Sequence, residues 1–245
     1  FILPSGLRAN SPNGKICTAH IGTGGKGRVD TAYLAKHKHV EVLGLCDVDY
    51  KHGKIDTWSK QFKSATAYQD YREMLAKLDD KIDVVSISTP DHTHYPATMA
   101  AMELGKHVYT QKPLTHKLSE ARHLAKFAKE KGLTTQMGIQ NQSREAYRLT
   151  RHYIKEGILG KISKVYVWSF KTWGYDGESF KEKSTVPDSL DWNLWLGTAP
   201  KHDYVSKVYH PGQWRKLIDF GCGTLGDMGI HIFDTPFKAL DLKDP

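Results

Sequence analysis

Short apolar runs alternate with amphipathic stretches through the first half of the chain. Runs rich in β-branched residues predict strands at residues 16–21, 40–47, 82–89, 107–110 and 134–138. Helical spacing of apolar positions predicts helices at about residues 28–38, 68–78, 93–104 and 118–131. Because strands and helices alternate, we expect a parallel sheet with helices on both faces. The fold class is therefore α/β, with a doubly wound sheet.

The pattern changes after residue 140. One more helix is predicted at residues 144–156, and alternating valines and aromatics at residues 162–170 predict a strand. Residues 173–214 carry four of the six tryptophans in an irregular sequence. This stretch is typical of substrate-facing loops, and a packed aromatic core is the alternative. We place the domain boundary between residues 142 and 143, so that the first domain covers 15–142 and the second 143–245.

The composition limits the possible classes of protein. The formal net charge is +8, but the cations are dispersed among acidic residues, so no nucleic-acid partner is expected. No stretch approaches the roughly 18 apolar residues of a membrane span, which argues against integral membrane association. The three cysteines are widely spaced and indicate no disulfide framework. Asp91, His92 and His94 lack a companion cluster at ligand spacing, so no metal is expected.

Residues 1–14 are apolar at first and then polar. This pattern resembles the end of an export segment followed by a linker, and it predicts an exported, periplasmic protein. A simple N-terminal arm is the alternative and would leave a cytoplasmic location open.

A glycine-rich turn follows the first predicted strand. Its residues, which match G-x-G-x-x-G before a predicted helix, are Gly22, Thr23, Gly24, Gly25, Lys26 and Gly27. Such glycines permit a tight turn and let a pyrophosphate approach the helix N-terminus. Asp47 ends the next strand at roughly the spacing of about 20 residues expected for a ribose-binding carboxylate. We therefore predict bound NAD, with NADP possible because Lys51 and His52 lie nearby.

Polar segments end two later strands, and a third motif lies near the C-terminus. The segments at residues 89–94 and 111–114 are predicted to converge on the nicotinamide side of the crevice, because ligands bind at the carboxyl ends of parallel strands. Asp227 and His231 are four residues apart and would share one face of a helix. A lysine, a carboxylate and an imidazole are suited to proton transfer.

These motifs resemble the Gfo/Idh/MocA oxidoreductase family, which includes glucose–fructose oxidoreductase and inositol dehydrogenase. Its T-P-(N/D)-x-x-H, E-K-P and D-x-x-x-H motifs correspond here to residues 89–94, 111–113 and 227–231. The most similar variant is common in exported bacterial members that act on sugars. It has Q-K-P-L-T-H, L-D-W-x-L-W-L-G and L-G-D-M-G-x-H, found here at residues 111–116, 190–197 and 225–231. Gln111 departs from the usual glutamate and removes a carboxylate beside Lys112.

The resemblance implies a Rossmann domain followed by an α+β domain with a mainly antiparallel sheet. Family members are usually longer, so we expect only the first part of that second domain here. The implied activity is hydride transfer between a nicotinamide cofactor and a sugar or polyol hydroxyl. Alternatives are an NAD-dependent glycoside hydrolase that uses transient oxidation and elimination, and a non-catalytic protein that senses a dinucleotide or sugar. The family also implies a homo-oligomer, a dimer or tetramer formed through the second domain.

The resemblance also assigns roles to particular residues. Lys112 would polarise the alcohol oxygen or help to remove its proton, His231 would act as general base or proton shuttle, and Asp227 would bind substrate or orient the imidazole. The cofactor site would further include Thr89, Pro90, Asp91, His94, Gln111, Lys112 and Gln140. Aromatic faces stack on sugar C–H surfaces, and His and Arg side chains bind hydroxyls. On that basis the candidate substrate contacts are Tyr209, His210, Trp214 and Arg215, together with the three catalytic candidates.

Overall fold

A six-stranded parallel sheet forms the centre of the N-terminal half. The structure, a computed structural model, describes residues 14–174 and 182–243. The strands are β1 (Ile16–Ile21), β2 (Val40–Cys46), β3 (Thr66–Tyr68), β4 (Val84–Ile87), β5 (His107–Gln111) and β6 (Thr135–Gly138). Their order across the sheet is β3-β2-β1-β4-β5-β6. This confirms the predicted doubly wound sheet.

The strand order reverses at β1, which lies between β2 and β4. Ile21 pairs with Cys46 on one side and with Ile87 on the other. The carboxyl ends of these three strands therefore lie side by side. In an open α/β sheet this reversal opens the crevice in which ligands bind.

Helices cover both faces of the sheet. They are α1 (Gly25–Leu34), α2 (Ile55–Gln61), α3 (Tyr71–Leu78), α4 (Asp91–Glu103) and α5 (Leu118–Lys131). Helices α3, α4 and α5 bury one apolar cluster, in which Met74 and Val85 are fully enclosed. Leu45 and Trp58 belong to a second cluster, which packs α2 against β2 with alanines of α1 at its edge. Each such large apolar side chain contributes roughly 1.5–3 kcal/mol when buried.

Most elements of this half agree with the sequence prediction. Helix α1 begins at Gly25, three residues before the predicted start, because the glycine-rich turn runs directly into it. Helix α2 and strand β3 were not predicted. Thr66–Tyr68 has three residues, which is too short to show a period-2 pattern.

The described residues of the second half form the helices α6 (Glu145–Lys155), α7 (Trp192–Leu196), α8 (Gly223–Ile232) and α9 (Asp234–Ala239). The described residues of 143–243 form no strand, so the predicted strand at 162–170 and the expected antiparallel sheet are absent from this part of the structure. No described segment pairs with 162–170, and a strand needs a neighbour to satisfy its backbone hydrogen bonds. Its aromatic side chains are exposed, with Trp168 at 67% and Phe170 at 91%.

The aromatic stretch folds into a packed cluster, as in the alternative prediction. Its buried members are Leu190, Trp195, Leu196, Tyr204, Tyr209, Trp214 and Phe220. The cluster contacts the N-terminal half at His92, whose Nε2 lies 3.1 Å from the carbonyl oxygen of Trp195 and whose ring centroid lies 5.1 Å from that of Phe220. It therefore forms a wall beside the carboxyl ends of the strands.

Two further predictions concern the N-terminal arm and membrane association. The predicted N-terminal arm, residues 1–14, lies outside the described residues except for Gly14. Across 14–174 and 182–243, none of the helices has the length and apolar character needed to cross a membrane.

Candidate cofactor and catalytic site

The glycine-rich turn joins β1 to α1 at the centre of the sheet edge. Gly22 has a φ of +78°, and a Cβ there would lie 2.7 Å from the carbonyl oxygen of Ser88, so only glycine fits. A Cβ on Gly24 would lie 2.5 Å from Cδ2 of His52. Gly24 also occupies the N-cap of α1. The open helix N-terminus and this backbone cradle fit a dinucleotide pyrophosphate.

Asp47 holds the turn in place. Its Oδ2 accepts hydrogen bonds from the backbone N–H groups of Thr23 at 2.9 Å and Gly24 at 3.1 Å. Its Oδ1 accepts one from the N–H of Asp49 at 3.0 Å. Burial raises the pKa of this carboxyl. Oδ1 can accept one further hydrogen bond, so the predicted contact with a ribose remains compatible with this geometry.

A cavity of about 300 Å³ opens above the turn. From the N-terminal half it is lined by predicted cofactor residues, namely Gly22, Gly24, Gly25, Lys26, Asp47, Thr89 and Pro90. The opposite side is formed by Leu194, Trp195, His210, Pro211, Gly212, Trp214 and Arg215. The fold thus brings half of the predicted cofactor residues and three of the four candidate substrate residues around one space. Tyr209 is instead buried in the aromatic cluster.

Asp49 joins the two sides of this cavity. Its Oδ2 lies 3.0 Å from Nε2 of His210, and its Oδ1 accepts a hydrogen bond from the Ser189 hydroxyl at 2.9 Å. Burial opposes ionisation of Asp49, but hydrogen bonds from His52, Ser189 and His210 outweigh it and lower the pKa. Burial and the neighbouring His52 lower the pKa of His210. The ring centroids of His52 and His210 are 4.8 Å apart.

Lys112 contacts Asp227 next to the cavity, although neither residue is part of its lining. Its Nζ donates to both Oδ1 and the main-chain oxygen of Asp227, each at 2.8 Å. Arg215, which lines the cavity, donates from Nε to the same Oδ1 at 3.1 Å. Burial acts to raise the pKa of Asp227, but the hydrogen bond and charge of Lys112 outweigh it, and the pKa is lowered. Asp227 therefore supplies the carboxylate that Gln111 does not.

Asp91 and His231 lie around this ion pair. The Asp91 carboxylate is 2% exposed and accepts a hydrogen bond from the backbone N–H of Cys222 at 3.2 Å. Burial raises the pKa of Asp91 to about 6. Burial and the charge of Lys112 lower the pKa of His231, whose buried Nδ1 has no hydrogen-bond partner in the described part of the chain. A neutral imidazole and a carboxyl whose pKa lies close to neutral pH are both suited to proton transfer.

Seven predicted cofactor residues lie outside the cavity lining, and His94, Gln111 and Gln140 are among them. Both ring nitrogens of His94 contact backbone oxygens, those of Pro113 at 2.7 Å and Thr89 at 2.8 Å, so His94 joins the segments that follow β4 and β5. Gln111 is 3% exposed and donates to Asp30 rather than facing the cavity. Gln140 is exposed and lies two residues after the end of β6.

Sequence reasoning missed three residues that shape the site. Asp49 and Asp30 form hydrogen bonds with residues that are distant in sequence, so no local pattern marks them. Trp195 lines the cavity with a buried Nε1 that has no partner among the described residues. The only signal was its place in the L-D-W-x-L-W-L-G segment.

The reversed parallel sheet, the glycine-rich turn and the adjoining lysine–carboxylate pair define a dinucleotide-binding α/β protein with a candidate proton-transfer site. Two family models cover almost the whole described chain. Residues 16–139 match the oxidoreductase family with an NAD-binding Rossmann fold, and residues 145–244 match its C-terminal alpha/beta domain. The chain belongs to the Gfo/Idh/MocA oxidoreductase family.

Named relatives share part of this chain. Levoglucosan dehydrogenase of Pseudarthrobacter phenanthrenivorans is 27% identical over 177 residues, which cover 72% of this chain and 37% of that protein. The NAD(+)-dependent scyllo-inositol 2-dehydrogenase of Bacillus subtilis is 31% identical over 132 residues, which cover 53% and 38%. The crystal structure of GenD2 from gentamicin A biosynthesis, in complex with NAD, has the same fold. It shows 22% identity and a TM-score of 0.65, covering 98% of this chain and 57% of that one.

The matches also show how much of these proteins is present. The chain spans 37% of levoglucosan dehydrogenase and 57% of the GenD2 chain.

Proposed function

We propose that the protein is an NAD(P)-dependent oxidoreductase that acts on a CH–OH group of a sugar or polyol. The observation that carries the proposal is the position of Lys112, which follows β5 and bonds to Asp227 beside the cavity of the glycine-rich turn. Levoglucosan dehydrogenase and scyllo-inositol 2-dehydrogenase, which are similar in sequence, support the choice of substrate class. NAD, when bound, supplies the nicotinamide that accepts the hydride from the carbinol carbon.

Lys112 is proposed to hold the substrate oxygen. An ammonium has three N–H donors, and two of them point at Asp227. The third is available for the hydroxyl oxygen, on which negative charge develops as its proton leaves. A fixed positive charge in a partly buried site stabilises that oxygen without reorganisation. Asp227, which also accepts a hydrogen bond from Arg215, keeps the ammonium in position.

His231 is proposed to take the hydroxyl proton. Its lowered pKa keeps the imidazole neutral and able to accept a proton at neutral pH. Asp227 does not orient this ring by a described hydrogen bond, because its Oδ1 accepts from Lys112 and Arg215 instead. We therefore assign Asp227 to Lys112 and leave His231 as the separate proton acceptor. His210, Trp214 and Arg215 are proposed substrate contacts on the opposite wall.

NAD is the proposed cofactor, and the Asp47 carboxylate would oppose a 2′-phosphate. This preference is supported by the position of Asp47 beneath the glycine-rich turn. His52, close to Gly24, keeps NADP as the second cofactor to be tested.

The first experiment identifies the nucleotide released from the denatured protein and then measures NAD and NADP reduction with a panel of sugars and polyols. Net reduction by the wild type, and its loss in Lys112→Ala, are expected. Lys126→Ala is the matched control, because that side chain is 75% exposed in α5. Tightly retained NAD with product formed but no net reduction would favour the glycoside hydrolase. Nucleotide binding without any turnover would favour a sensing protein.

We also propose an oligomeric state and a cellular location. The exposed apolar side chains of Ile158, Trp168 and Phe170 support a homo-oligomer formed through the second domain. Light scattering of the purified chain tests this, and a monomer at all concentrations would contradict it.

The apolar-to-polar pattern of residues 1–14 supports a periplasmic protein. Fractionation of cells that express the chain with its native N-terminus tests that location.

A further inference from the structure

Asp30 forms a buried hydrogen-bond network beneath the glycine-rich turn. It lies on α1 and is 5% exposed. Its Oδ2 accepts hydrogen bonds from Nε2 of Gln111 at 2.8 Å and from the Ser88 hydroxyl at 2.9 Å. Its Oδ1 is paired with the ammonium of Lys26. One carboxylate thus contacts the turn, the end of β4 and the end of β5.

The three donors come from the segments that carry the proposed site. Gln111 directly precedes Lys112, and Ser88 begins the segment that leads to Thr89, Pro90 and Asp91. Lys26 lines the cavity in the first turn of α1. A shift of Asp30 would therefore move the Lys112 segment relative to the turn. Misplacement of a catalytic group by about 1 Å can lower turnover about 100-fold.

The network also explains the unusual residue at position 111. A glutamine nitrogen can donate to the Asp30 carboxylate, whereas an ionised glutamate can only accept. Glutamate at this position would place two carboxylates in hydrogen-bond contact at a site where Gln111 is 3% exposed. Two buried carboxylates in contact cannot both ionise without a large penalty, so they share a proton.

We infer that Asp30 is a positioning residue, whose carboxylate requires an amide at position 111 and thereby holds Lys112 in register with the glycine-rich turn. The part of this inference that concerns turnover rests on the proposed function. The pairing of Asp30 with Gln111 does not.

The test exchanges the hydrogen-bond donor and acceptor between positions 30 and 111. In Gln111→Glu, a protonated glutamate can still donate to Asp30 at low pH, but the contact becomes repulsive once the shared proton is lost. In the double variant Asp30→Asn/Gln111→Glu, the asparagine amide donates to the glutamate and restores one charge. Lys26 faces Asp30 from α1 and Tyr109 faces it from β5. Tyr109 stays neutral throughout, since burial raises its pKa to about 12.

Melting temperature, NAD affinity and kcat are measured from about pH 5.5 to about pH 8.5. Gln111→Glu should match the wild type at the acid end. At the alkaline end its melting temperature should fall, with a loss of about 10-fold or more in kcat and a change of less than about threefold in the NAD dissociation constant. The double variant should return kcat to within about threefold of the wild type. Gln136→Glu is the matched control, because Gln136 is an exposed glutamine on β6.

Two outcomes would overturn the inference. One is a pH profile of melting for Gln111→Glu that follows the wild type, and the other is a double variant no better than Gln111→Glu. If Gln111→Glu does not fold, the double variant keeps the test decisive, because the added Asp30→Asn must then restore folding. A wild type that neither binds nor reduces NAD would refute the proposed function. The melting profiles would still decide the Asp30–Gln111 pair.

Discussion

The ammonium of Lys112 lies 2.8 Å from the carboxylate of Asp227, a residue 115 positions further along the chain. The lysine follows a strand of the N-terminal sheet, and the aspartate lies on a helix of the second half. The proposed catalytic pair therefore exists only when both halves are folded together. It also makes Asp227 an informative residue to change.

Asp227→Asn should lower kcat by about 100-fold or more with little effect on NAD affinity. The amide removes the charge that holds Lys112 and Arg215, while the glycine-rich turn is untouched. Steady-state kinetics with NAD and the best sugar substrate measure the effect. Asp241→Asn is the control, since that side chain is 74% exposed. Equal losses in kcat and NAD affinity would contradict the separate placement of the two sites.

Gly24→Ala should weaken NAD binding by about 10-fold or more and leave the fold intact. The added Cβ would lie 2.5 Å from Cδ2 and 2.8 Å from the backbone oxygen of His52, so the turn must shift where the pyrophosphate approaches. Titration of tryptophan fluorescence with NAD measures the affinity. Gly174→Ala serves as control, because a Cβ there meets nothing within 4 Å. Unchanged affinity in Gly24→Ala would place the cofactor elsewhere.

Asp91→Asn should stabilise the protein above pH 6. Burial raises the pKa of Asp91 from 3.8 to about 6, so the folded state binds the proton more tightly than the unfolded state does. The favourable contribution of the protonated carboxyl is complete below pH 3.8 and is lost as the pH rises through about 6. Asparagine avoids the buried charge and should add about 2–3 kcal/mol above pH 6, with no gain near pH 4.

Urea unfolding of Asp91→Asn and the wild type at several pH values measures this difference. Asp80→Asn is the matched control, because Asp80 is exposed. A stabilisation that does not depend on pH would show that the ionisation of Asp91 is not its cause.

Buried histidines should destabilise the protein in mild acid. Burial lowers the pKa of His94 from 6.5 to about 4 and outweighs the two backbone carbonyl contacts, which raise it, so the fold holds the neutral imidazole while the unfolded chain takes up a proton. The stability present above pH 6.5 is therefore lost as the pH falls towards 4, by about 3 kcal/mol for this residue. His20 and His92 contribute with the same sign, since burial lowers the pKa of each to about 4.

His94→Gln should reduce the slope of stability against pH between about pH 6.5 and pH 4, even though it loses contacts to Thr89 and Pro113. Denaturant unfolding at fixed pH values gives the slope. His39→Gln, at an exposed position, should leave the slope unchanged. A slope that is the same in His94→Gln and the wild type would refute the assignment.

The sequence predicted the N-terminal half well, because its information is local there. Strand β1 and helix α5 have the predicted bounds, since an uninterrupted run of strand-forming residues marks the first and helical spacing of apolar residues marks the second. β3 was missed because three residues carry no period. Residues 162–170 have the alternation of a strand, but pairing depends on a neighbour that local pattern does not specify.

The candidate site likewise contains residues that could be predicted from the sequence and residues that could not. Its glycines and Lys112 could be found, because turn chemistry and motif spacing are written in contiguous residues. Asp30 and Asp49 could not, because their hydrogen bonds join residues 81 and 140 positions apart. Such contacts arise from the packing of whole elements. The sequence shows only that Gln111 departs from a motif, because its buried partner Asp30 lies on α1.

The hydrogen bonds of Asp49 also imply an order of folding. Its partners Ser189 and His210 lie 140 and 161 residues later, whereas the sheet around it is completed by residue 138. Closing so long a loop is entropically unfavourable until the surfaces that meet are formed. On a ribosome, the glycine-rich turn would therefore be complete before the aromatic wall has been synthesised. The turn is then exposed on an open surface until the wall that faces it has folded.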